Sequence, residues 1–297
     1  MAAIPDTLLQ SELFGQRITH LTLIHGYGVA LERTALFVRI LAHAKAAAEG
    51  LGRSLVVART NAKPLLGGVD WNRCGQGPVL ASVGLALGGL LHTAIIPSGR
   101  AILDSFKPTA SHPGVDPLWS TEGVEFVHDG ADTTRTDKLG LIATSDLALR
   151  HLRVCWENRD GAYNCGRWEK CLRTMIPLKL AGALRRDEQF PDRIPPVDLD
   201  RMAVGQPDRW EGPLGRIRSS GLDPLEWAGI PEAIERALAW WRWSHSRLGR
   251  LDAAPWKGLA PVGLTPQRLN AVDARLLGRA GVRAFHWPST RRGRWRP

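Results

Sequence analysis

Residues 18–60 read ITHLTLIHGYGVALERTALFVRILAHAKAAAEGLGRSLVVART, and this stretch decides the fold. Ile18 to His25 is a short β-branched run closed by Gly26, which predicts a strand. Ala30 to Glu49 is rich in Ala and Leu at helical spacing, and Gly50 and Gly52 stop it, which predicts a helix. Ser54 to Thr60 has a continuous apolar centre, the pattern of a buried parallel strand. Working outward, Asn61 to Gly77 reads as a loop and Pro78 to Leu87 as a helix. His92 to Pro97 and Glu125 to His128 read as strands, and Thr134 to Ile142 and Cys171 to Leu184 as helices. Strand and helix alternate over about the first half of the chain. That alternation predicts an α/β fold: a Rossmann-like parallel sheet with helices on both faces. In such sheets ligands bind beyond the carboxyl ends of the strands. The loops of interest are then 26–29, 60–77, 98–120 and 129–135.

The chain divides by composition. Residues 1–150 form the α/β domain, 151–190 a Cys-containing knuckle and helix, and 191–297 an extension rich in Pro, Trp and Arg, helical or irregular. Within the extension, Pro231 to Leu248 and Thr265 to Leu277 read as helices. The apolar stretch from Val79 to Ile96 is broken by Gly84, Gly88, Gly89 and His92, so no spanning helix is expected. The N-terminus lacks a basic region followed by a long apolar run, so a secretory signal is not expected and the compartment reads as cytoplasmic. The net charge of +10 is carried entirely by residues 242–297, which hold 12 basic and 2 acidic side chains. That tail reads either as a solvated terminus or as a grip on phosphate backbones with Trp for stacking. No nucleic-acid-binding motif accompanies it.

Two constellations carry chemistry. The first is Cys155, Cys165 and Cys171 within RVCWENRDGAYNCGRWEKCLRTM. Zinc takes a tetrahedral set of N and S ligands. Three sulfurs in 17 residues fit most of such a set, with Cys74 or a His as a remote fourth. Three reduced cysteines packed as small hydrophobes fit the same pattern. The second is the segment SHPGVDPLWSTEGVEFVHDGADTTRTDK. It gathers Ser111, His112, Asp116, Ser120, Glu122, His128, Asp129, Asp132, Arg135 and Lys138 within 28 residues. Arg135 and Lys138 share one face of a predicted helix and are placed to neutralise phosphate charge. A capped helix with solvated charges fits equally.

The segments DPLWSTE, VHDGADTTRTDK and LRVCWEN…YNCGRWEKCLRTM resemble the N-type ATP pyrophosphatase superfamily. More narrowly they resemble its 7-cyano-7-deazaguanine synthase (QueC/ExsB-like) branch. The likeness covers roughly residues 8–190, with ITHLTLIHG and SLVVARTN at two of the family's strands. It implies a fold of the adenine nucleotide alpha-hydrolase (HUP) type. It implies a cytoplasmic, ATP-dependent adenylating ligase or amidotransferase that activates a carboxylate and releases pyrophosphate. ATP and Mg2+ are the implied cofactors, and Zn2+ on Cys155, Cys165 and Cys171 is a third. Asp129, Arg135 and Lys138 are the implied catalytic residues. Asp6, Thr7, His25, Gly26 and Thr60 are the implied cofactor-binding residues. The implied partner is a small carboxylate or deazapurine-like substrate. A homodimer would cover an open sheet edge, nucleic acid is weakly supported, and no membrane is expected.

The chain departs from the family pattern twice. The family's SGGxDS phosphate loop is absent, with only Asp6 and Thr7 standing near its Asp-Ser end. Gly67-Gly68-Val69-Asp70 spells part of that loop but lacks both Ser and follows the wrong strand. Trp168 stands where the family has a zinc cysteine. A catalytically degenerate nucleotide- or partner-binding relative is therefore the second reading.

Overall fold

The computed structural model describes residues 18–99, 109–158, 161–221, 223 and 225–245. The decisive stretch folds as strand, helix and strand: β1 (His20–His25), α1 (Thr34–Gly50) and β2 (Ser54–Arg59). β1 and β2 pair in parallel, Leu21 opposite Leu55 and Leu23 opposite Val57. Burial alternates along β1, with Leu21, Leu23 and His25 inward. Leu23 packs in one cluster with Leu36, Phe37, Ile40 and Ala44 of α1. Each large side chain buried there contributes about 1.5–3 kcal/mol. His43 of α1 meets His151 at 3.1 Å between Nδ1 atoms. Burial lowers the pKa of both imidazoles, and Arg39 adds to the shift of His43.

A second parallel pair follows. After α2 (Ala62–Leu65) and a π-helical turn at Trp71–Gly75 comes α3 (Gln76–Ala86). β3 (Thr93–Pro97) then pairs with β4 (Glu125–Asp129), Ile96 opposite His128. Ile96, Phe126 and Val124 pack against Ala81 and Leu80 of α3. A 3-10 turn at Asp116–Trp119 precedes β4, and Trp119 joins that cluster. Two glycines permit close approach. A Cβ on Gly77 would lie 1.7 Å from the carbonyl oxygen of Ala110, and one on Gly84 would press into the Phe126 ring.

α4 (Arg135–Ala143) and α5 (Asp146–His151) start at capping hydroxyls. Thr134 Oγ1 accepts from Asp137 N at 3.3 Å, and Ser145 Oγ accepts from Ala148 N at 3.2 Å. Ser and Thr suit these positions because their oxygens satisfy amides that the first turn leaves without partners. α6 (Glu169–Leu180) follows the Cys-containing loop.

The chain forms two compact units, and the division cuts α6. The first unit comprises the described residues up to Cys165 with Pro177–Pro191. The second comprises Gly166–Ile176 and the described residues from Asp192 onward. In the second unit α7 (Pro196–Asp200) and α8 (Asp208–Ser219) pack with α9 (Ile230–His245). α9 buries Ile230, Ala233, Ile234, Ala237 and Leu238, an apolar stripe at helical spacing. Trp210 is fully buried and donates its indole N–H to Glu169 Oε1 at 3.1 Å. Among the described residues, no helix is long and apolar enough to cross a membrane.

The α/β class holds, and the sheet differs from expectation in three respects. Among the described residues the strands form two parallel pairs, and no pairing joins them. β2 is half-exposed rather than buried, with Val57 47% exposed, and β1 is its only partner strand among the described residues. The faces turned away from α1 and α3, with Thr22, Ile24, Ile95 and Val127, are half-buried. Residues 61–77 also hold helical turns where a loop was expected, so α3 starts at Gln76 rather than at Pro78. The expected helix at Thr265 to Leu277 and the basic tail lie outside the described residues.

Gly26 closes β1 with φ +95°, and a Cβ there would lie 1.8 Å from the carbonyl oxygen of Thr60. A left-handed conformation and a backbone clash coincide. Gly26→Ala is expected to cost more than about 2 kcal/mol, read as a lower midpoint in thermal unfolding followed by circular dichroism.

Candidate functional site

Asp116, at the start of the 3-10 turn that packs on β4, has three hydrogen-bond partners on its side chain. It is fully buried. Its Oδ2 accepts from Ser111 Oγ at 2.7 Å and lies 2.6 Å from His128 Nδ1. Its Oδ1 accepts from the backbone N–H of His112 at 3.3 Å. A carboxylate only accepts hydrogen bonds, so the His128 contact requires a proton on Nδ1. His128 stands near the carboxyl end of β4, on the face that carries Phe126 two residues earlier. Its side chain is 3% exposed. Tyr27, just beyond β1, comes within the field of Asp116. Burial raises the Tyr27 pKa, and the Asp116 charge adds to that, so its hydroxyl stays protonated.

The adjoining residues continue this polar cluster. Ser98 N donates to the carbonyl of Asp129 at 2.7 Å, joining the ends of β3 and β4. Lys138 is buried and donates from Nζ to the Ser98 carbonyl at 3.0 Å. Burial raises the Asp129 pKa, and Lys138 and the Gly130 amide oppose that rise. Asp116, His128, Asp129 and Lys138 thus occupy the carboxyl ends of β3 and β4. This is where open α/β sheets place ligands.

The expected site residues fall into distinct places. Asp129 and Lys138 meet around Ser98, and Arg135 is half-buried at the start of α4. Lys138 is anchored to a backbone carbonyl rather than sharing an open face with Arg135. His25, Gly26 and Thr60 form one turn at the ends of β1 and β2. His25 stacks on Phe37 at 3.8 Å and its Nε2 reaches the Ala30 carbonyl. Thr60 N donates to the His25 carbonyl, and Thr60 Oγ1 accepts from Ala62 N. Each has a structural partner there. Asp6 and Thr7 lie outside the described residues.

The Cys-containing loop is held by two asparagines. Asn164 Oδ1 accepts from the amides of Val154 and Cys155, and its Nδ2 donates to the Leu152 carbonyl. Asn158 has φ 46° and donates its backbone N–H to Cys155 Sγ at 3.3 Å. Sγ of Cys155 lies 3.5 Å from Sγ of Cys165. Cys171 is buried on α6, in the second unit. Cys155 and Cys165, both in the first unit, are candidate metal ligands. Cys74 is exposed in the π turn and stands outside that set.

The sequence named Asp116 and His128 but did not pair them. They lie 12 residues apart, and only the packing of the turn on β4 joins them. Asn158, Asn164 and Asp187 went unmarked, since buried side-chain clasps leave no spacing signature. No family model matches the chain, and neither a curated protein nor a solved structure matches it.

Asp187, behind Tyr163, is 1% exposed, and burial pushes its pKa up to about 7. The folded state therefore holds its proton more tightly than the unfolded chain, where an Asp pKa is about 3.9. Stability from this group is present at low pH and falls as pH rises from about 4 to about 7. Asp187→Asn is expected to gain on the parent by up to about 4 kcal/mol between pH 4 and pH 8. Urea denaturation of both proteins at the two pH values measures that shift, and a pH-independent difference contradicts it.

Proposed function

We propose that the chain is an ATP-dependent adenylating protein of the N-type ATP pyrophosphatase kind, with a Rossmann-like fold. On this reading it activates a small carboxylate, releases pyrophosphate and passes the acyl group to an amine. The observation that carries it is the polar cluster of Asp116, His128, Asp129 and Lys138 at the carboxyl ends of β3 and β4. The segments that resemble the family, DPLWSTE and VHDGADTTRTDK, are the ones that build this cluster.

The chemistry divides among named groups. Arg135, at the first turn of α4, would draw phosphate charge toward a helix N-terminus, where backbone amides favour an anion. Lys138 fixes the β3 end and adds positive potential. Mg2+ would offset the charge of the phosphates, and Asp129 would position a substrate group. A degenerate binding protein is the second reading. It is favoured by Trp168 at a ligand position.

Cys155 and Cys165 suit a thiophilic ion, and the Asn158 amide donating to sulfur stabilises a thiolate. Cys171 follows Cys165 by six residues and would supply a third sulfur. Zn2+ fits these donors, and its fourth position would fall to a non-cysteine ligand because Trp168 cannot bind it. Zinc analysis of purified protein is expected to give one ion per chain, lost in Cys155→Ser; metal-free protein of unchanged stability counts against the site.

Calorimetry with ATP and Mg2+ tests the main reading. Micromolar binding is expected, and Arg135→Ala should weaken it about 10- to 100-fold. The absence of binding overturns it. Binding without pyrophosphate release in the presence of candidate carboxylic acids selects the degenerate relative.

A further inference from the structure

We infer that His128, oriented by Asp116, is a proton acceptor for an N–H or O–H group of a bound ligand. The argument starts from the two ring nitrogens. Nδ1 lies 2.6 Å from a fully buried carboxylate oxygen, which also accepts from Ser111. That carboxylate puts the ring proton on Nδ1 and leaves the lone pair on Nε2. Nε2 is buried and has no hydrogen-bond partner among the described residues. Leaving a buried polar atom without a partner is unfavourable. A ligand hydrogen removes that cost. The same carboxylate stabilises the imidazolium that forms when the proton arrives.

A purely structural histidine explains the Asp116 contact but leaves Nε2 without a purpose. The position supplies one. His128 lies at the carboxyl ends of β3 and β4, beside Asp129 and within the cluster that includes Lys138. Tyr27, which stays protonated, adds a hydroxyl donor in the field of Asp116. A lone pair, a donor and a buried cation suit proton transfer from a nucleophile.

The nature of the nucleophile rests on the adenylation reading. There the donor is the attacking amine. Its nitrogen lone pair forms the C–N bond to the acyl carbon, and the bond from that carbon to the adenylate oxygen breaks. AMP leaves with the electron pair, and the amine proton passes to Nε2.

The test needs no ATP, so its failure is distinguishable from failure of the adenylation reading. In the 15N-labelled full chain, long-range proton–nitrogen correlation reads the neutral imidazole tautomer of His128. The expected signal has Nδ1 protonated and Nε2 bare. Diethyl pyrocarbonate is the chemical probe, because it acylates a bare imidazole nitrogen. A reagent that small must reach Nε2 if a ligand does. Peptide mass spectrometry is expected to find His128 modified alongside the exposed His92 and His245.

Asp116→Asn separates the roles. Its Oδ1 keeps the His112 amide, so its NH2 group faces Nδ1 and donates to it. The ring proton then moves to Nε2. Modification of His128 should slow at least about tenfold relative to His92. Ser111→Ala, which leaves the pair intact, should keep the parent rate and guards against a folding defect in the first variant. An Nε2-protonated tautomer in the parent overturns the inference. So does an unmodified His128 beside a fully modified His92, or a rate unchanged by Asp116→Asn in a folded chain.

Discussion

A carboxylate taken out of water keeps its charge only if other groups replace the solvent around it. Asp116 meets that requirement with a hydroxyl, an amide and an imidazole from three positions of one segment. The consequence is geometric. Ser111, the 3-10 turn and β4 cannot separate without exposing or orphaning the charge. Breaking such an arrangement by removing one partner costs far more than its net contribution to stability. The placement of His128, and through it the order at the carboxyl ends of β3 and β4, follows from that single buried group.

The same logic, polar side chains serving as backbone partners, recurs at the cysteines. Asn164 reads two amides and a carbonyl with one side chain. The Cys155 end of the loop is thus shaped by protein groups. Metal binding there would begin from a partly ordered site rather than from an unfolded strand of chain, which reduces the coupling between metal and fold.

Much of the architecture was legible from residues 18–60. The β-branched run, the Ala-rich helix and the Gly stops are local signals, and β1, α1 and β2 follow them closely. How the strands pair was less legible. Leu55-Val56-Val57 is as apolar as a central strand, yet sequence does not state how many neighbours a strand has, and Val57 lies half open to solvent. At the site, Asp129, Arg135 and Lys138 were marked by charge and position. Their partners were not, because the bonds between Lys138 and Ser98 and between Asp116 and His128 depend on tertiary packing. Asp187 drew no notice because a buried carboxylate beside Tyr163 resembles any loop acid in sequence.

The contact between His43 and His151 has its own consequence. Both imidazoles hold their protons less tightly in the fold than in the unfolded chain. Their contribution to stability is therefore lost as pH falls below about 6.5. Asp187 acts in the opposite sense across an overlapping range. The first unit is thus buffered against acid by one group and against alkali by the pair. Acid and alkali therefore weaken the fold through different groups rather than through one.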